Sequence, residues 1–383
     1  MSTKLIELFS GCGGLSYGAH LAANESKVEL EILAAVDVWQ AASNTYERNL
    51  GIAPRVASVE VPLLESLHEA FPIVDILAGG PPCQGFSTVG KRALDDPRNQ
   101  LVRRFIDAVR ILQPKAFLME NVSGFTTMQK GELFDEVVES FANLGYRVYP
   151  SIVLASAYGV PQHRRRCVIV GVADGAVFET PLGIASYVPP VNKKLVLDVR
   201  PEHLGVGKTI SFGEATSDLP GVAAGKTATK YKTPASNRYQ KLMRQGVQIL
   251  TEHEGPAHGP QTLGLLREIP KGRSANDPAI FDKIPIDVRP TSGFANSYQR
   301  IQSTAPAPTI TRNFSTPSSA NCIHPTANRG LTLREAARCQ SFPDSYEFVG
   351  NRGERRLQVG NAVPPYMAKA LFHSLFEAIG AKI

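Results

Sequence analysis

The chain has 383 residues, 43% of them apolar, with 41 Lys and Arg against 35 Asp and Glu. That length predicts about two domains with a full-sized core, and the absence of a continuous apolar run of about 18 residues argues against a transmembrane helix. The first residues run into a strand and a glycine turn without the basic and apolar regions of an export signal, so a soluble cytoplasmic protein is expected. Five scattered cysteines, an odd number without a C-x-x-C pair, suggest neither a disulfide framework nor a metal site.

In chain order, "KLIELF" reads as a strand, followed by a glycine turn and a helix from about Leu15. "EILAAVD" and "IVDILA" read as further strands, "LVRRFIDAVRILQP" as a helix and "KAFLME" as another strand. Strand, helix and strand at this spacing predict an α/β fold with a mostly parallel sheet. "YRVYPSIVL" and "RCVIVGV" flank "ASAYGVPQHRRR" and could extend the sheet. Beyond residue 180 the alternation fades into Pro- and Gly-separated segments such as "VNKKLVLDV" and "NRYQKLMRQGV", as in a loop-rich second domain. Residues 181–300 hold 16 basic and 10 acidic side chains, a local excess suited to nucleic-acid phosphates or simply to a solvated surface. Helical patterns return in "TLREAARCQSF" and in "PPYMAKALFHSLFEAIG". In the latter, Met367, Leu371, Leu375 and Ile379 share a face that is expected to pack on the sheet.

Gly11, Gly13 and Gly14 lie where the first strand meets the first helix, so the backbone there can turn sharply and approach a ligand. Ser16 stands where a G-x-G-x-x-G dinucleotide fingerprint needs glycine, which disfavours a nicotinamide cofactor. Asp37 ends the second strand, either capping a helix or accepting hydrogen bonds from an adenosine ribose. Cys83, in "GGPPCQGFS", and Glu120 follow two later strands, at the sheet edge where open α/β sheets bind ligands. A thiolate can add to a carbon of a heteroaromatic ring while a carboxyl supports the ring nitrogen. Cytosine fits: attack at C6 with an acid near N3 makes C5 nucleophilic toward a sulfonium methyl donor.

With "LIELFSGCGG", "GGPPCQGFS", "ENV" at 120–122, "QHRRR" at 162–166, "LTLREAARCQSFPD" and "QVGNAVPP" in this order, the chain resembles the DNA (cytosine-5) methyltransferase family. The resemblance covers the N-terminal half and about the last sixty residues. It implies a Rossmann-like methyltransferase fold, S-adenosylmethionine as cofactor, and double-stranded DNA from which the target cytosine is flipped out. Carried over by residue, it implies Cys83 as the covalent nucleophile, Glu120 at N3 and the exocyclic amine, and Arg166 at the O2 edge. Arg164 would order the nucleophile loop or the neighbouring carboxylate. Phe9, Gly11, Gly13, Gly14 and Asp37 would line the cofactor pocket, completed by Asn361. Residues 86–101 would form a loop closing over the base, with Lys91, Arg92 and Arg98 toward phosphate. Two positions depart from the family pattern. Ser58 or Glu60 is offered for the adenine amine, and Val38, followed by Trp39, stands where an aromatic is common.

The resemblance also implies a division into a catalytic domain at 1–180, a target-recognition domain at 181–325 and a returning segment at 326–383. It implies a monomer, without a membrane or a required metal, in a prokaryotic cell and with a companion restriction endonuclease possible. A tRNA substrate, as in one branch of the family, and a catalytically silent DNA binder are the rival readings. No side chain in these motifs is an obvious base for the C5 proton, which leaves that task to a bound water.

Overall fold

The computed structural model describes residues 2–82, 100–173, 176–179, 184–186, 209–290 and 297–381, of which 129–130 and 184–186 are described by backbone alone. Cys83, residues 86–99 of the expected loop and the segment 191–199 lie outside the described residues.

The expected α/β sheet is present. Strands β1 (Thr3–Leu8), β2 (Leu30–Asp37), β3 (Arg55–Val56), β4 (Ile76–Gly79) and β5 (Ala116–Val122) alternate with helices α1 (Gly14–Ser26), α2 (Gln40–Leu50), α3 (Val61–Ala70) and α4 (Gln100–Leu112). After α5 (Glu132–Asn143) come β6 (Arg147–Leu154), β7 (Arg165–Val172) and β8 (Ile184–Ser186), giving the order β3-β2-β1-β4-β5-β7-β6-β8. The first five strands pair in parallel, whereas β7 enters antiparallel to both β5 and β6. Chain order reverses between β1 and β4, and an open sheet forms its ligand crevice at the carboxyl ends of such a pair.

The protein divides into two compact units. The first comprises Met1–Tyr158, Arg165–Val206 and Pro365–Ile383, the second Gly159–Arg164 and Gly207–Pro364. Residues 326–364 therefore cluster with the second unit, whereas the sequence reading had them return to the catalytic domain.

In the first unit the strands bury near-continuous apolar runs. Phe117 of β5 meets Phe105 of α4 and Phe141 of α5, with ring centroids 6.2 and 4.3 Å away. A Cβ at Gly171 on β7 would fall 2.0 Å from the Phe117 ring, so only glycine fits beside it. The last helix, α12 (Pro365–Ala378), buries Met367, Leu371 and Leu375. Its main neighbour is α1 rather than the sheet, because Gly18 of α1 lets the two backbones close up: a Cβ there would lie 2.4 Å from Ala368 Cβ.

The second unit is built differently, from the short helices α6 (Phe212–Thr216), α7 (Arg238–Met243), α8 (Pro260–Glu268), α9 (Pro278–Phe281), α10 (Leu333–Cys339) and α11 (Arg352–Asn361). A small apolar cluster around Leu266, Ile269 and Ile323 is supplemented by buried arginines. Arg300 donates to the carbonyls of Ile269, at 2.7 Å, and of His324 and Ala327, each at 2.9 Å. Arg329 grips Glu335 with two hydrogen bonds of 2.8 Å. Arg338 lies between Asp218 and Asp344. The basic excess of the middle third is thus in part internal: its last residue, Arg300, is 4% exposed and holds loops together.

Candidate active site

Between β1 and α1 the backbone takes three left-handed steps, at Phe9 (φ 54°), Gly11 (φ 52°) and Gly13 (φ 89°), the last being the N-cap of α1. Around a hypothetical Gly11 Cβ there is open space, so its glycine answers to conformation and not to crowding. Asp37, at the carboxyl end of β2, fastens this turn by accepting hydrogen bonds from the Gly11 amide at 2.7 Å and the Trp39 amide at 2.8 Å. Burial raises the Asp37 carboxyl above its ordinary value, against the pull of those amides. Phe9, Gly11, Gly13, Gly14 and Asp37 therefore gather at one sheet edge. A turn with left-handed glycines, a carboxylate and the neighbouring Val38, 65% exposed, suits a nucleoside-bearing ligand: a backbone without side chains for close approach, an acceptor for ribose, an apolar side for adenine.

Beneath the turn lies a chain of polar groups that sequence reasoning missed. Tyr46 of α2 donates to Ser16 Oγ at 2.7 Å, and Ser16 donates in turn to Glu7 on β1. Burial pushes the Glu7 carboxyl up to about 8, outweighing its bond from Ser16. The residue that breaks the dinucleotide fingerprint is thus a hydroxyl that supports a buried acid. The signal was an acidic residue inside the apolar run "KLIELF".

Glu120 and Arg166 come together at the other end of the crevice. Glu120 is near the end of β5, Arg166 pairs with Val122 across the β5–β7 ladder, and Arg166 Nε lies 2.9 Å from Glu120 Oε1. Both side chains are largely buried, 12% and 11% exposed. Burial lowers the Arg166 guanidinium, while the Glu120 charge and hydrogen bond act against that shift. Asn121 donates to the Pro81 carbonyl at 3.1 Å, and a Cβ on Gly80 would lie 3.4 Å from Glu120 Oε2. The chain segment that leads to Cys83 is thereby held against the Glu120 carboxylate.

The other four cysteines, Cys12, Cys167, Cys322 and Cys339, are buried. Burial pushes the thiols of Cys12 and Cys322 up to about 12 and raises that of Cys339. Such thiols stay protonated and are poor nucleophiles.

Arg164 belongs to the second unit, with 2% of its surface exposed. It donates to the carbonyls of Ile310, at 2.9 Å, and Gly360, at 3.3 Å. Gln162 beside it reaches the Cys339 carbonyl and the Gln340 side chain and accepts from the Ile310 amide. An anchoring duty not foreseen from the sequence thus falls to Arg164. Asn361 ends α11 in the same unit, on the surface. Of the two adenine-amine candidates, both are exposed, and Glu60 is engaged by Arg104 at 2.9 Å.

Among the described residues no helix is long and apolar enough to cross a membrane. The family profile described as C-5 cytosine-specific DNA methylase matches residues 3–377. The Type II methyltransferase M.DdeI of Desulfomicrobium norvegicum is 34% identical over 96% of this chain and 87% of its own. M.AgeI of Thalassovita gelatinovora, also a Type II methyltransferase, is 32% identical over 98% of this chain and all of its own. A solved structure of an E. coli prophage-encoded protein described as a DNA modification methyltransferase superposes with a TM-score of 0.73 at 24% identity, covering 99% of this chain and 100% of that one, a likeness of fold.

Proposed function

The chain belongs to the C-5 cytosine-specific DNA methylases, which transfer a methyl group from S-adenosylmethionine to cytosine C5 in DNA, and on that premise we propose that Cys83 is its nucleophile and Glu120 the supporting acid. The observation that carries this reading is the buried Glu120–Arg166 pair, with Gly80, three residues before Cys83, backed onto the Glu120 carboxylate.

The Cys83 thiolate adds to C6 of a flipped-out cytosine, and the electron pair of the C5–C6 bond becomes available at C5. Glu120 at N3 and the exocyclic amine, with Arg166 at O2, stabilises the charge that develops on the ring. S-adenosylmethionine would supply the electrophilic methyl group to C5, its S–CH3 bond breaking and S-adenosylhomocysteine leaving. The turn at Phe9, Gly11, Gly13 and Gly14 and the Asp37 carboxylate would hold the cofactor, and the family resemblance adds Asn361 to the residues that would bind it. Once C5 carries the methyl group, a bound water takes the C5 proton, the C5=C6 bond re-forms and Cys83 leaves. Arg164 is a positioning residue in this reading, ordering the nucleophile loop or the neighbouring carboxylate.

Residues 181–325 are the target-recognition domain in this reading, and duplex DNA is bound by a monomer at a short sequence in the cytoplasm. The Type II names of M.DdeI and M.AgeI support a companion endonuclease. The test is duplex DNA carrying 5-fluorocytosine, incubated with S-adenosylmethionine and run on a denaturing gel. Fluorine cannot leave as a proton does, so the covalent complex is trapped. The wild-type protein is expected to form the adduct, and Cys83→Ala to lose it while still shifting DNA in a native gel. Normal methyl transfer by Cys83→Ala refutes the assignment, and transfer to tRNA alone refutes the DNA substrate.

A further inference from the structure

Helix α11 opens with "RGERR", and its end is already satisfied: Asn351 Oδ1 accepts from the Glu354 amide at 3.0 Å while Glu354 accepts from the Asn351 amide at 2.7 Å. Its arginines have unequal partners. Arg352 is paired with Glu254 at 2.6 Å. Neither Arg355 nor Arg356 has a side-chain hydrogen bond or ion pair among the described residues, and Arg355 Nε is shielded from solvent without an acceptor. A buried donor left this way is destabilising, the more so when charged, unless something binds there.

These three side chains line a cleft of about 50 Å³ together with Glu252, Glu254 and Gly255. That volume admits a few ordered waters or one tetrahedral oxyanion, and no nucleobase. Glu254 is spent on Arg352, and Glu252 on the buried Arg334 at 2.9 Å. Arg355 and Arg356 share these two carboxylates with Arg352 and Arg334, so positive charge is in excess around the cleft. Burial lowers the Arg356 guanidinium, and the like charges of Arg352 and Arg355 lower it further, against Glu254 alone. An anion would relieve that crowding. Guanidinium forks match phosphate oxygens in pairs, and phosphate is the anion that a DNA-modifying enzyme meets on every nucleotide.

We propose that Arg355 and Arg356, flanked by Arg352, form a phosphate subsite that holds one backbone phosphate of the DNA substrate. The proposal rests on the DNA methyltransferase reading above. A contact of this kind strengthens every DNA sequence alike and positions the duplex without reading a base. It acts on DNA affinity and leaves the chemical step to other residues.

The double variant Arg355→Gln/Arg356→Gln tests it, with DNA binding followed by fluorescence anisotropy at increasing KCl. The slope of log K against log[KCl] is expected to flatten by about 0.9 for the phosphate lost, with affinity down about tenfold on cognate and unrelated duplexes alike. The DNA KM should rise while kcat at saturating DNA stays within about twofold. An unchanged slope overturns the proposal. Methylphosphonate scanning gives a second reading that does not depend on the double variant. One neutralised position should weaken the wild-type protein and weaken Arg356→Gln alone by less, and absence of any such position overturns the subsite. Inorganic phosphate is the probe for a free-anion site: stabilisation of the wild type by phosphate, lost in the variant and with the DNA slope unaltered, would take the site away from DNA. Failure of the functional reading itself is recognised separately, by a wild-type protein that methylates no duplex.

Discussion

Glu7 and Glu335 are both buried carboxyls, one in each compact unit, and their surroundings move them in opposite directions. Glu7 lies among apolar strands with Ser16 and Tyr46 as its partners and no cation among the described residues, so burial prevails and its carboxyl rises to about 8. Burial would lift Glu335 too, but Arg329 and His324 overcome it and hold that carboxyl well below the usual range. Of these two carboxyls, the one in the first unit is kept neutral and the one in the second is kept charged and matched. Aromatic packing and strand ladders hold the one, and arginines bound to carboxylates and carbonyls hold the other.

The comparison breaks most severely if the matching is removed. Arg329→Met leaves Glu335 buried beside only a weak partner and should cost about 3–5 kcal/mol, read from chemical denaturation at pH 7. A loss below about 1 kcal/mol would mean that the pair is not needed to hold the unit. The next effect concerns pH. The neutral form of Glu7 is bound by the folded protein up to about pH 8, so its contribution is complete below about pH 4.5 and is lost as the pH rises through 8. Glu7→Gln removes this titration and should be more stable than the wild type at pH 9 by roughly 2–4 kcal/mol, with the difference shrinking at acid pH. Identical pH profiles for the two proteins would disprove a neutral Glu7. Glu335 has the opposite sign, with stability present above its ordinary value and lost as the pH falls toward its depressed one. The smallest effect sharpens the contrast from within the first unit. Tyr146 donates to the Pro114 carbonyl at 2.7 Å, and Tyr146→Phe should lower stability by only about 1 kcal/mol, visible as a small shift in Tm.

The two units also differ in how far the sequence discloses them. Strands β1, β2, β4, β5 and β7 were legible because parallel and central strands bury unbroken apolar runs. The two-residue β3 and the three-residue β8 are too short to carry a period. At the site, Glu120 and Arg166 could be named from their motifs, and the hydrogen bonds of Asp37 to the turn follow from its place at a strand end. The arginines were not legible in the same way. Arg329, Arg334 and Arg338 are fully buried, yet in the sequence they carry the same letter as the solvent-facing Arg352. The pattern "REAAR", with two arginines four apart around alanines, is consistent with charge turned inward, but its meaning depends on acidic partners more than a hundred residues away, such as Asp218.

The close seat of Ala368 on Gly18 has a consequence for the order in which the protein is made. Helix α1 ends at Ser26 and its partner begins at Pro365, so the ribosome must synthesise the whole second unit before the first can be closed. At ordinary rates of translation that interval is on the order of half a minute. During it the groove on α1 is open at the nascent chain's surface.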